Sequence, residues 1–237
     1  MSPTALITGA GKRIGRELAL YLAGQGYDIA AHYHLSQQSA HTLAEDIRRM
    51  GRKCVLFQAD LSSHTDAEHL MEAVIQQCEG LELLINNASV FNKNSIGQTD
   101  FAFLQYHFMI NCFAPMLLSR DFAKHLARGH IINILDTKIT RSKTVYCAYT
   151  LSKKTLAEFT KMAAVEFAPD IRVNAVAPGV ILAPPDKDEQ YLASLITQVP
   201  LKRKGEPSDI CGAVNFLIAN KYITGQILYI DGGENLL

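Results

Sequence analysis

Short runs of apolar, often β-branched residues alternate along the chain with longer stretches whose apolar positions recur at helical spacing. Ala5 to Thr8 reads as a first strand, and Ile14 to Ala23 follows with apolar residues at 14, 18, 19 and 22, one face of a helix. Tyr27 to Tyr33 repeats the strand pattern. Gln37 to Met50 repeats the helical one and is closed by Gly51, which takes a left-handed cap without a Cβ penalty. Further strands are expected at 53–59, 81–85, 130–135, 171–177 and 226–230, and further helices at 65–78, within about 100–127, at about 147–167 and near 207–219. Parallel neighbours need crossover connections, and here the helices supply them, so the pattern predicts an α/β fold with a doubly wound parallel sheet.

No repeat, low-complexity tract or linker interrupts this order, and 1–237 reads as a single domain. The one irregular stretch, Val180 to Gln190, is rich in proline and charge and is expected to be a surface loop near a site. With 48% hydrophobic and 19% charged residues the chain can bury a sizeable core, which excludes intrinsic disorder. Lys+Arg and Asp+Glu both number 23, so no overall field favours nucleic acid or an anionic membrane, and binding must be local. Five cysteines without a Cys-x-x-Cys pair fit neither a disulfide framework nor a zinc site, and the N-terminus runs straight into a strand without a basic region; both point to the cytoplasm. Phe101 to Ser119 carries no charge over nineteen residues, but Gln105, His107, Asn111 and Pro115 suit a buried helix or a subunit contact better than hydrocarbon.

In open α/β sheets the ligand crevice lies beyond the carboxyl ends of the strands. The first such junction reads Thr8-Gly9-Ala10-Gly11-Lys12-Arg13-Ile14-Gly15. Its glycines let backbone approach a pyrophosphate, and the helix it opens offers free N–H groups and a positive dipole end. Farther on, Tyr149 and Lys153 are four apart and share a helix face, where an ammonium would lower the proton affinity of the phenol toward the working range.

These features fall in an ordered set: Thr8-Gly9-x-x-x-Arg13-Ile14-Gly15, Asp60-Leu61, Asn86-Asn87-Ala88, Asn111, Tyr149-x-x-x-Lys153, Pro178-Gly179 and Asp231-Gly232-Gly233. Over essentially its whole length the chain resembles the short-chain dehydrogenase/reductase family. The resemblance implies a Rossmann-type fold and a nicotinamide cofactor held by Gly9, Lys12, Arg13, Ile14, Gly15, Asp60, Leu61, Asn87, Ala88, Lys153, Pro178 and Gly179. It also implies that Lys153 holds the cofactor's ribose, that Asn111 anchors a water passing protons, and that the chain forms a homotetramer through its long fourth and fifth helices. Asp60 is read either as an acceptor for the adenine amino group or as a turn and capping residue.

An NAD site usually carries an acid at the end of the second strand, about twenty residues past the glycines. That place holds His32-Tyr33-His34-Leu35-Ser36, with no acid. Ser36 can donate to a 2′-phosphate while Lys12 and His34 balance its charge, so NADPH is the expected cofactor. His32 and His34 lack a third ligand nearby, so they read as strand residues and no metal is expected.

Thirteen residues before Tyr149, where the general family has serine, stands Asp136. A carboxylate beside a developing alkoxide would raise the barrier to ketone reduction, whereas it suits a substrate protonated on nitrogen or bearing N–H donors. Together with Arg13, the His-Tyr-His strand end and Asn87-Ala88-Ser89-x-Phe91, this resembles the pteridine reductase and dihydromonapterin reductase branch. That branch implies a small-molecule pterin substrate, with Phe91 stacking on it and sandwiching it against the nicotinamide. Ser89 would be a polar contact and Arg13 a bridge between cofactor phosphate and pterin; Asp136, Tyr146, Tyr149 and Val180 would line the pocket. The alternatives are a carbonyl reductase such as one acting on 3-oxoacyl carrier protein, and a non-catalytic NADP sensor, which would not need Tyr149, Lys153 and Asn111 together.

Overall fold

The computed structural model describes residues 2–142, 144–183 and 189–237. Among them, a parallel sheet runs β3 (Cys54–Gln58), β2 (Asp28–Tyr33), β1 (Thr4–Ile7), β4 (Leu81–Asn86), β5 (Gly129–Ile134), β6 (Ile171–Pro178), β7 (Ile227–Ile230) in spatial order. The helices between them are α1 (Arg13–Gly24), α2 (Gln37–Arg49), α3 (His64–Gln77), α4 (Phe101–Phe108), α5 (Ala114–His125), α6 (Cys147–Glu166), α7 (Glu189–Ile196) and α8 (Pro207–Ala219). This is the single doubly wound domain the alternation implied.

Strand side chains alternate between two apolar layers, and both are buried. Ala5 and Ile7 of β1 pack with Leu18, Leu22, Leu43, Ile47 and Leu217, from α1, α2 and α8. Leu6 between them packs the other way, with Met71, Val74, Leu118 and Phe122 of α3 and α5. The strand order reverses between β1 and β4, so a crevice opens at their carboxyl ends, where ligands lie in such sheets.

The segment expected as one helix within 100–127 is two helices joined by a π-helical turn, Met109–Phe113. A π turn has nearly the same apolar spacing as an α turn, so periodicity does not reveal it; such turns concentrate at functional sites. Phe101–His125 is long and apolar enough to cross a membrane. In this fold it packs in the helical layer, with Leu118 and Phe122 in the core and His107, Asn111 and Ser119 fully buried, while Phe101, Tyr106 and Phe113 are exposed. The 180–190 stretch was expected to be irregular throughout, yet α7 begins at Glu189 and covers part of the segment after it. Proline and charge hid a helix whose apolar residues start only at Tyr191. Residues 184–188 of that expected loop lie outside the described residues.

Candidate active site

The glycine turn is held from both flanking strands. On the β4 side, Thr8 Oγ1 accepts from the N–H groups of Asn87 at 2.9 Å and Ala88 at 3.0 Å, and Asn87 Nδ2 donates to the carbonyls of Thr8 at 2.9 Å and Gly9 at 3.3 Å. The first N–H groups of α1 have no partner within the helix, and Lys12, its N-cap, makes no side-chain capping bond. Gly9 has φ +65°, and a Cβ on Gly15 would lie 2.3 Å from the Gly9 carbonyl oxygen, so glycine is required at both places. Ile14 packs on the core below the turn.

On the β2 side, the Gly9 N–H donates to His32 Nδ1 at 3.1 Å, which leaves Nε2–H to donate to the Ala59 carbonyl at 3.1 Å. Burial pulls His32 down to about 4, so the ring is neutral and its tautomer is fixed by these partners. His32 is therefore the post between turn and sheet, a role the sequence does not reveal because its partners lie 23 and 27 residues away.

Ser36 comes to the rim of the turn, while His34 lies beside Asp60. A Cβ on Gly11 would touch Ser36 Oγ at 2.8 Å, and Ser36, the N-cap of α2, makes no side-chain capping bond. His34 Nε2 lies 3.8 Å from Asp60 Oδ2, and both side chains are substantially exposed. Asp60 behaves as a turn residue, its Oδ1 accepting from Ser62 N–H at 2.9 Å and Ser62 Oγ at 2.8 Å, while Leu61 is buried in the core. Arg13 reaches 169 positions along the chain to donate to the Leu182 carbonyl at 3.3 Å, which ties the turn to the segment after β6. Pro178 closes β6, the Gly179 N–H donates to the Ile230 carbonyl at 3.0 Å, and the Val180 carbonyl accepts from Gly205 N–H at 2.9 Å.

At the end of β5 the chemistry converges. Tyr149 donates its hydroxyl proton to Asp136 Oδ2 at 2.7 Å, and the Lys138 N–H donates to Asp136 Oδ1 at 2.8 Å. Lys138 Nζ also reaches the carboxylate, at 3.4 Å and 3.5 Å from its two oxygens. The 3₁₀ turn Thr137–Thr140 that carries Lys138 is clipped to the C-terminus by Thr137 Oγ1 donating to Asp231 Oδ2 at 2.6 Å and by Arg141 pairing with Glu234 at 3.3 Å. Lys153 is buried and donates to the Ile134 carbonyl at 2.7 Å; burial draws it down to about 8, against the pull of Asp136.

This arrangement corrects the expected effect on the phenol. Burial and then the Asp136 carboxylate push Tyr149 well above its ordinary value, because an acceptor at its hydroxyl favours the protonated form. Tyr149 is kept as a proton donor.

Beside it, Phe91 stacks on Tyr146 with centroids 4.1 Å apart and planes 11° apart, meets Tyr149 edge-on at 4.6 Å, and has Lys138 Nζ over its ring at 5.4 Å. A flat substrate must therefore displace Tyr146 or Lys138 to reach that ring. Tyr146, at the start of α6, holds φ +64°, a strained backbone for a non-glycine residue. Asn111, in the π turn, accepts at Oδ1 from Ser89 Oγ at 3.1 Å and Val90 N–H at 2.9 Å, and donates through Nδ2 to the Val90 carbonyl at 3.0 Å and Ser152 Oγ at 3.2 Å. Its side chain is thus saturated by protein and pins the Ser89–Val90 segment rather than holding a water, and the Ser89 hydroxyl is turned toward it. Any water would have to use the backbone of the π turn.

A family model described as enoyl-(acyl carrier protein) reductase matches residues 9–235. The chain is a member of the short-chain dehydrogenase/reductase family. These oxidoreductases use a nicotinamide cofactor. An uncharacterized oxidoreductase of Methylorubrum extorquens is 32% identical, with 97% of this chain and 96% of the relative aligned. The 3-oxoacyl-[acyl-carrier-protein] reductase FabG of Staphylococcus epidermidis is 31% identical over 98% of this chain and 99% of its own. Among solved structures, FolM alternative dihydrofolate reductase 1 from Brucella canis, complexed with NADP, superposes with a TM-score of 0.92 at 32% identity, covering 99% of this chain and 95% of that one. A blue fluorescent protein from a metagenomic library, in complex with NADPH, gives a TM-score of 0.92 at 29% identity, with 98% and 97% covered.

Proposed function

We propose that this chain is an NADPH-dependent reductase that converts a 7,8-dihydropterin to the tetrahydropterin. The observation that carries the reading is the 2.7 Å hydrogen bond from Tyr149 to Asp136, at the place where a carbonyl reductase of this family has a serine.

The residues present fit a nicotinamide dinucleotide. The turn's carbonyls are bonded to Asn87, its glycines permit close backbone approach, and the start of α1 offers unpartnered N–H groups to a pyrophosphate. Lys12, Ser36 and His34 would take a 2′-phosphate, Pro178 and Gly179 would border the nicotinamide, and Lys153 would hold the adjoining ribose. When bound, NADPH supplies the hydride that reduces C6. Tyr149, kept protonated, delivers the proton to N5, and Asp136 accepts from the N–H groups of the ring and orients the phenol. A serine hydroxyl could donate to a carbonyl oxygen; a carboxylate loaded with donors cannot, and this disfavours ketone reduction. Phe91 offers a flat apolar face once a substrate displaces its present neighbours. The FolM likeness supports the same substrate class. We further assign the chain to a homotetramer built on the long helical segment spanning α4 and α5 and on α6, and to a reducing cytoplasm, in keeping with its five unpaired cysteines.

The FabG relatives favour a second reading, reduction of a 3-oxoacyl thioester. One assay separates the two: NADPH oxidation followed in parallel with dihydromonapterin, dihydrobiopterin, dihydrofolate and an acetoacetyl thioester. Turnover of a pterin is expected, and turnover of the thioester alone would replace this reading with the second.

A further inference from the structure

Lys138 is two residues past Asp136 and sits in a 3₁₀ turn rather than a strand, and on a helix residues two apart do not face each other. They meet because the turn folds back: the Lys138 N–H caps Asp136 at 2.8 Å while the ammonium comes round to 3.4 Å from the same carboxylate oxygen. The same ammonium lies 5.4 Å from the Phe91 ring centre, so one cation touches both the acid and the aromatic of the reaction site.

We propose that Lys138 is a positioning residue for the Asp136–Tyr149 pair: its ammonium holds the carboxylate in the orientation that receives the Tyr149 proton. The inference rests on the reductase reading above only for what the pair does, not for how it is held.

The charged groups around Asp136 leave this task to Lys138. From α6, Tyr149 faces it with a neutral hydroxyl, and Lys153 is committed to the Ile134 carbonyl. From the C-terminal turn comes Glu234, a second acid, which Arg141 pairs and whose proton affinity burial raises. Lys138 is thus the one cation among the described residues with a hydrogen bond to the carboxylate. The Lys138 side chain is 36% exposed, so the bond is open to solvent ions and will weaken in salt.

The test compares wild type with Lys138→Met and Lys138→Arg in three measurements. Without substrate, the Asp136 carboxyl resonance is titrated by carbon NMR, assigned by difference with Asp136→Asn. In Lys138→Met it should move to higher pH, because a close opposite charge is lost; in Lys138→Arg it should stay near wild type. With substrate, the acid limb of kcat/KM should move in the same direction, while NADPH affinity, read by fluorescence quenching, stays within twofold. About 1 M NaCl should move the wild-type resonance toward that of Lys138→Met and leave the variant in place. A resonance that neither substitution nor salt moves would overturn the proposal, even if kcat fell, since lost packing alone lowers kcat without moving a titration. If Lys138→Met does not fold, the salt series on wild type decides alone. A moved resonance with no pterin turnover would refute the substrate reading and leave this one standing.

Discussion

The Gly9 N–H and the His32 ring are joined by a 3.1 Å hydrogen bond, and the far nitrogen of that ring is bonded to the Ala59 carbonyl. One neutral imidazole thus sets the position of the cofactor turn relative to β2 and β3. Replacing it by leucine keeps the apolar volume and removes the acceptor. A single such bond is worth about 1 to 1.5 kcal/mol, so His32→Leu should weaken NADPH binding roughly tenfold. Fluorescence titration reads this directly, and an unchanged affinity would show that Asn87 alone suffices to hold the turn.

The same burial makes stability depend on acid. His32 is lowered to about 4 and His130 to about 3, in both cases chiefly by desolvation, with Arg172 adding to the effect on His130. The folded state therefore binds fewer protons than the unfolded one once the pH drops below the ordinary histidine value of 6.5. Stability is full above that value and is lost progressively toward pH 4, by roughly 3 kcal/mol from His32 alone. Glu234, whose proton affinity is raised, works in the opposite sense at lower pH. Urea midpoints at pH 7.0, 5.5 and 4.5 should fall in that order, and a flat series would contradict the neutral state assigned to these rings.

Asp136→Ser restores the hydroxyl of a carbonyl reductase. Pterin turnover should drop by about 100-fold, the loss typical of a positioned proton-transfer partner, and NADPH binding should hold, because the aspartate does not touch the glycine turn. Steady-state kinetics with a pterin and with an acetoacetyl thioester check both halves. Equal kinetics with the pterin would remove the role given to Asp136.

Asn111→Leu removes four hydrogen bonds, to Ser89 Oγ, to both polar backbone atoms of Val90 and to Ser152 Oγ; Ser89 is exposed and Ser152 Oγ keeps its bond to the Tyr149 carbonyl at 2.7 Å, so the Val90 backbone carries the loss. Leaving buried groups unpaired costs about 1 to 3 kcal/mol each where water cannot reach them, so a melting temperature lower by about 5 to 10 °C is expected. Because the loosened segment leads into Phe91, the pterin KM should rise more than the NADPH KM. A drop in melting temperature with both KM values unchanged would confine Asn111 to stability.

The alternation of apolar runs and helical periods by itself determined the parallel sheet, because a strand buried on both faces can only be apolar on both and each crossover must be a helix. The glycine turn, Tyr149 and Lys153 were legible for the same kind of reason: their geometry is local, fixed within one turn or one helix. The helix α7 was missed because proline and charge precede it, and the π turn because it barely alters the spacing.

What tertiary structure alone decided is every relation that crosses the sheet or the crevice. His32 under Gly9, Arg13 at Leu182, Lys138 beside Asp136 and over Phe91, and Asn111 saturated by the segment after β4 all depend on where separate elements meet. The direction of the Tyr149 shift belongs here too. From spacing, the nearest charge to the phenol is the ammonium four residues on; in space the group at its hydroxyl is the carboxylate thirteen residues back. Proton affinity follows distance in space and burial, neither of which is written in the order of residues.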